Sequence, residues 1–219
     1  MPAGFSFFSR TCLSLIPLCL LGVTLSALAR EPRPWLSLFD GQSLQGWKAA
    51  EHAGTFSVHN SEIVAHGPRS HLFYTGPIAM KDWTDFELSL EVWTEPGANS
   101  GVYFHTRYQE TGIPEIGYQI QINNSNPYPS KTGSIYGVED RLVSPVGDNE
   151  WFTLYIRVEG KRIVTKINGA VISDYIEPAN PPRSGEIKGS LIAHGTIALQ
   201  GHDADSMVRF RNIRIRLPQ

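Results

Sequence analysis

Between Asp85 and Asn123, apolar and polar residues alternate in two separate runs. Phe86, Leu88, Leu90 and Val92 fall between Asp85, Glu87, Ser89, Glu91 and Trp93. Successive side chains of a strand point to opposite faces, so this spacing predicts a strand with one greasy and one polar side. Tyr118, Ile120 and Ile122 repeat the pattern against Gln119, Gln121 and Asn123. Between the two runs, Asn99-Ser100-Gly101 turns the chain into Val102 to Arg107. If neighbouring strands share one polar face, Glu87, Glu91, Tyr103, His105, Arg107, Gln119 and Gln121 meet on it. Carboxylates, amides and aromatic rings together offer donors and acceptors for hydroxyls and flat surfaces for a pyranose. That is the lining a sugar-binding cleft needs.

The rest of the chain reads the same way. Phe56 to His59 and Glu62 to Ala65 flank Asn60-Ser61, as a hairpin does. Leu72 to Tyr74 is a short strand. Trp151 to Val158 alternates, Gly160-Lys161 turns it into Arg162 to Ile167, and Asn168-Gly169 leads into Ala170 to Tyr175. Gly195 to Gly201 and Met207 to Leu217 close the chain, the last with an Arg-Ile-Arg alternation that puts one face in solvent or ion pairs. Asn124 to Lys131 carries Pro127 and Pro129 and is expected to be a loop lining a site at a sheet end. After residue 29 no run has a 3.6-residue apolar period. The pattern predicts an all-β fold, a single-domain sandwich of two antiparallel sheets.

Composition changes this picture at one end. Arg10, the apolar run from Cys12 to Leu28 and Ala27-Leu28-Ala29 have the layout of a secretory signal peptide. Residues 1–29 are therefore expected to be a leader and residues 30–219 the domain, secreted or periplasmic. Both cysteines lie in the leader, so the mature chain is expected to hold its core without disulfides. The formal net charge of −2 gives no basis for binding nucleic acid or, after signal cleavage, a membrane. No phosphate-binding glycine loop and no CxxC pair is present.

Several pieces, in order, resemble the 3-keto-disaccharide hydrolase domain family. They are Leu38-Phe39-Asp40-Gly41 with Leu44 to Trp47, Asp85 to Leu88 with Glu91, Asn99 to Val102, and Gly117 to Ile122. Gly133 to Tyr136, Glu150 to Phe152, Ile167 to Gly169, Ile197 to His202 and Phe210 to Ile215 follow. The resemblance implies a concanavalin-like jelly roll and cleavage of a glycosidic bond in sugars already oxidised at C3. A C3 ketone acidifies the C2 hydrogen, so a base removes it, the C1 substituent is eliminated and water adds back. This chain has Gln119 where the family has Glu, Asn123 where it has Asp, and Gly201 where it has Asp before His202. An amide bonds but takes no proton. The alternative function is thus a carbohydrate-binding jelly-roll module that has lost its catalytic carboxylates.

Glu87, Glu91, Arg107 and His202 are the catalytic candidates. The glutamates and His202 are expected to do acid and base work, and Arg107 to bind the carbonyl or enolate oxygen. The plainer readings are a solvated strand face for the glutamates, an ion pair with a glutamate for Arg107 and turn chemistry for His202. Trp93, His105, Tyr118, Gln119, Gln121 and Tyr136 are the substrate-binding candidates, with Trp93 as the sugar platform. No cofactor is expected. Asp203 and Asp205 resemble a calcium loop only faintly. The expected partner is a carbohydrate or keto-sugar ligand, and the sequence carries no sign of oligomeric state.

Overall fold

The computed structural model describes residues 1–4 and 33–218, and there the alternating runs are strands. In chain order they are β1 (Leu36–Ser37), β2 (Trp47–Ala49), β3 (Phe56–His59), β4 (Glu62–Ala65), β5 (Ser70–Tyr74), β6 (Phe86–Thr94) and β7 (Ser100–Thr106). There follow β8 (Tyr118–Ile122), β9 (Phe152–Glu159), β10 (Arg162–Ile167), β11 (Ala170–Ile176), β12 (Thr196–Gly201) and β13 (Val208–Arg216). Asn60 and Ser61, and Asn168 and Gly169, take positive φ, which two-residue hairpin turns require. The expected leader falls almost wholly on residues outside the described ones. Among the described residues no helix is long and apolar enough to cross a membrane.

The strands form two antiparallel sheets. The first runs β11-β10-β9-β6-β13-β4-β3, with β1 also paired to β13. The second runs β2-β5-β12-β7-β8. Leu88, Leu90 and Val92 of β6 and Leu154 and Ile156 of β9 meet Val102, Phe104, Ile120 and Ile122 of the second sheet in one buried cluster. Phe104 stands edge-on to Phe86 at 5.6 Å and stacks on Tyr118 at 5.6 Å, so one ring ties both sheets together. Each such buried side chain contributes roughly 1.5–3 kcal/mol.

This topology corrects one expectation. β6 lies in the first sheet, whereas β7 and β8 lie in the second. Both alternate as predicted, but in a sandwich the two polar faces look away from each other across the core. Glu87, Glu91 and Trp93 therefore lie on the opposite side of the sandwich from Gln119 and Gln121.

A second correction sits in β7. The pairing of β7 with β12 slips between Thr196 and Ile197, leaving His105 as an extra residue at φ 55°. A bulge of this kind reverses the alternation beyond it. The His105 side chain is buried between elements. Its Nε2 donates to the Thr84 carbonyl at 2.7 Å, and its Nδ1 accepts from the Ala193 amide at 3.3 Å. Burial holds its pKa below the usual histidine range.

Candidate functional site

The outer face of the second sheet is built in rows. Across one row the register aligns Phe73, Ala198, Tyr103 and Gln119. Beside it, His71 pairs with Gln200 and Gly101 with Gln121. The small residues are needed: a Cβ at Gly101 would run into the Gln119 amide. Three loops rise around these rows and enclose a cleft of about 410 Å³. Its floor is Tyr103, Gln119, Gln121 and Gln200, with Asn99 and His202 at one end and Tyr128, Tyr136 and Glu186 in the walls.

The floor is one directed chain of hydrogen bonds. The Tyr103 hydroxyl donates to Gln119 Oε1 at 2.8 Å. Gln119 Nε2 donates to Gln121 Oε1 at 2.9 Å and to Gln200 Oε1 at 3.2 Å. Gln121 Nε2 donates to Asn99 Oδ1 at 2.8 Å. Because that oxygen is taken, the Asn99 group facing His202 Nε2 at 3.2 Å is its N–H donor. His202 Nε2 thus accepts, and Nδ1–H donates to Asp203 Oδ2 at 2.5 Å. The relay presents His202 Nε2 to the cleft as an acceptor, with the Asp203 carboxylate behind Nδ1. Burial alone would raise the Asp203 pKa, but the hydrogen bonds from His202, Ser206 and the Asp205 amide together outweigh it and hold that carboxyl below its usual range. The Asp205 amide also donates to Asp203.

The walls supply rings. Tyr128 and Tyr136 stack at 6.0 Å with an interplanar angle of 23°. Their hydroxyls bond at 2.8 Å, and Tyr136 donates on to Glu186 at 3.1 Å. Burial, then Tyr128 and the Glu186 charge, push the Tyr136 hydroxyl above the ordinary tyrosine range, so it keeps its proton. Asn123 positions this wall from below. Its Nδ2 donates to the carbonyls of Tyr128 and Ser130, both at 2.9 Å. An aspartate has no such donors, so the amide here is a structural requirement of the loop.

Four of the ten residues expected from sequence line the cleft: Gln119, Gln121, Tyr136 and His202. The other six do not. Glu87 accepts from Arg216 at 2.6 Å and from Tyr155 at 2.8 Å on the outer face of the first sheet. Glu91 accepts from Arg211 at 2.7 Å and from Asn212 at 2.9 Å. Partial burial works against ionisation of both glutamates, yet these partners hold both below the usual carboxylate range. Trp93 lies under the Arg209 guanidinium at 4.5 Å on the same surface. His105 sits in the bulge, and Tyr118 points into the core with its hydroxyl on Glu177 at 2.6 Å. Arg107 is exposed after β7 and is not among the lining residues. Asn99, Gln200 and Tyr128 also line the cleft and are not among the expected site residues, although Gln200 shares the outward parity of Ala198 and Tyr128 lies in the loop expected to line a site. Glu186 arrives from a distant irregular segment that carries no local signal.

A jelly-roll sandwich with an amide floor and stacked tyrosines on one sheet is the form of a sugar-handling domain. Residues 34–216 match the 3-keto-alpha-glucoside-1,2-lyase-like domain, and the chain belongs to that family. Its fold is shared by two candidate glycosyl hydrolases of Parabacteroides distasonis. One has 19% identity and a TM-score of 0.67, covering 84% of this chain and 94% of that one. The other has 24% identity and a TM-score of 0.64, covering 85% and 100%. A carbohydrate-binding module of Bacillus subtilis shares it at 13% identity and a TM-score of 0.56, covering 78% and 95%. No curated protein matches the chain. Family membership gives the domain a sugar-related, hydrolase-like character.

Proposed function

We propose that the protein cleaves the glycosidic bond of 3-keto-glycosides in the cleft of the second sheet. The observation that carries this reading is His202, held by Asp203 at Nδ1 and presented to the cleft through Nε2 beside a floor of amides. Substrate displaces the Asn99 N–H, and His202 Nε2 takes the acidified C2 proton. The electron pair moves towards the C3 oxygen, where Gln200 Nε2, which has no protein partner among the described residues, donates to the enolate. The C1–O bond then breaks, and the leaving oxygen takes the Tyr136 hydroxyl proton. The products are an alcohol and a 3-keto sugar with a C1–C2 double bond. Water adds its hydroxyl to C1 and its proton to the Tyr136 phenolate, while the imidazolium returns a proton to C2.

Incubating the protein with a 3-keto-glucoside in heavy water tests this. Free 3-keto-glucose carrying deuterium at C2 is the expected product. Release without deuterium would mean direct displacement. No release, with binding retained, would favour a second reading, a carbohydrate-binding module. The observation behind that reading is that Gln119, Gln121 and Gln200 place no carboxylate on the cleft floor.

We also propose that the protein is exported and that residues 1–29 are removed, on the strength of Arg10, the apolar run and Ala27-Leu28-Ala29. Mass spectrometry of exported material should find a chain starting near Arg30. A mature chain retaining Cys12 or Cys19 would refute it.

A further inference from the structure

The cleft does not end at Glu115 and Glu186. A groove of about 530 Å³ continues from it between the loop around Ile113 to Ile116 and the loop around Gly185 to Gly189. The two spaces share Ile113, Pro114, Glu115 and Glu186. The loops are pinned under the groove, where the Gly117 amide donates to the Gly189 carbonyl at 3.0 Å. A Cβ at Gly189 would collide with the Glu115 carbonyl, so the pin needs a glycine there.

The chemistry of the two spaces differs. The cleft floor is amides and hydroxyls, which suit the hydroxyls of a sugar ring. The groove offers Ile113, Pro114 and Ile116 and bare glycine backbone, with Glu115, Glu186 and Lys188 at its edges. Among the described residues it carries no side-chain amide or aromatic platform for a second pyranose. We propose that this groove is the leaving-group subsite and takes a flat apolar aglycone, so that the preferred substrates are aryl-type glycosides. Continuity with the cleft selects the occupant. A ring seated among the floor amides directs its C1 substituent towards the walls, and the groove is the apolar extension there. Desolvating an aryl ring against isoleucine and proline is favourable, whereas desolvating sugar hydroxyls there leaves them unpaired.

The inference rests on the cleft being the sugar site, so its test uses binding and requires no turnover. The probes are 4-nitrophenyl α-glucoside and trehalose, both unoxidised, titrated by calorimetry into the full protein. The aryl glycoside should bind about tenfold more tightly, which is 1.4 kcal/mol. Ile116→Asn, which alters the groove and not the cleft lining, should remove most of that preference. Ile113→Asn, at an exposed position, should do the same and serves if the first variant does not fold by circular dichroism. Equal affinities, no binding of either glycoside, or a preference that survives both substitutions would overturn the proposal. A protein that binds the aryl glycoside in this way yet cleaves no 3-keto-sugar refutes the lytic reading and leaves the subsite standing.

Discussion

At the residue scale, the relay from Tyr103 to Asp203 decides what His202 can do. Asn99 matters because its oxygen is taken by Gln121, which forces its N–H towards His202. Gln119→Glu therefore does more than add a carboxylate. Glutamate cannot donate to Gln121 and Gln200, so both amides turn to donate to it, and Asn99 turns in consequence. His202 Nε2 then faces a carbonyl oxygen and must carry a proton, and a protonated nitrogen is no base. Activity on a 3-keto-glucoside should fall at least 10²-fold in this variant, the usual worth of a positioned base, with the His202 ring ¹⁵N shifts reporting the added proton. A gain of activity would contradict the relay. The residues that sequence patterning placed here, Gln119, Gln121, Tyr136 and His202, share a simple property. Each is polar on the outward parity of the second sheet or follows directly from the family motif. Asn99 and Glu186 were illegible because their roles come from contacts 103 and 50 residues away in the chain, to His202 and Tyr136.

At the element scale, strand alternation was legible except in β7, where the bulge at His105 breaks it, but strand membership was not. Alternation is local, so β6 and β8 each show their polar side in the sequence. Which sheet each strand joins is set by long-range pairing, and the turn at Asn99 carries the chain from β6 in the first sheet to β7 in the second. The Arg-Ile-Arg run of β13 did hold the answer for the glutamates. Arg211 and Arg216 are the partners of Glu91 and Glu87, and Arg211 also lies over Trp151 at 3.8 Å. Replacing Glu91 by Gln should change stability by less than about 1 kcal/mol, since the pair is part-exposed, and should leave activity unchanged. A loss of turnover beyond tenfold would return Glu91 to the mechanism. The loop after β8 makes the opposite case. Asn123→Asp removes both donors to the Tyr128 and Ser130 carbonyls and sets a charge against them. Thermal or chemical unfolding should show a loss on the order of 1–3 kcal/mol, together with weaker sugar binding as the Tyr128 wall loosens. Unchanged stability would show that the amide is dispensable.

At the scale of the whole molecule, one buried group ties the second sheet to pH. His71 is fully buried beside Tyr103, 5.4 Å between ring centroids, and neither ring nitrogen has a partner among the described residues. Burial pushes its pKa down to about 4, with Arg69 and His202 adding to that and Glu51 opposing it. The unfolded chain binds this proton with a pKa near 6.5, so between about pH 6.5 and 4 the unfolded state holds more protons. Stability is therefore full above that window and is lost as pH falls through it, by about 3 kcal/mol from this residue. His71→Phe should shrink the acid loss by that amount in urea unfolding at pH 7 and pH 4, and an unchanged difference would refute it. The fold as a whole was legible because the core strands alternate almost without exception. The cleft was only half legible because loops from three parts of the chain complete it. The sharpest test of where the chemistry lies is a side-by-side assay of wild type, His202→Ala and the Glu87→Gln, Glu91→Gln double variant on a 3-keto-glucoside. Wild type and the double variant should release the aglycone at rates within tenfold of each other, while His202→Ala should be slower by a factor on the order of 10²–10⁴. A double variant that is inert while folded, beside an active His202→Ala, would put the chemistry on the first sheet and contradict the assignment of the cleft.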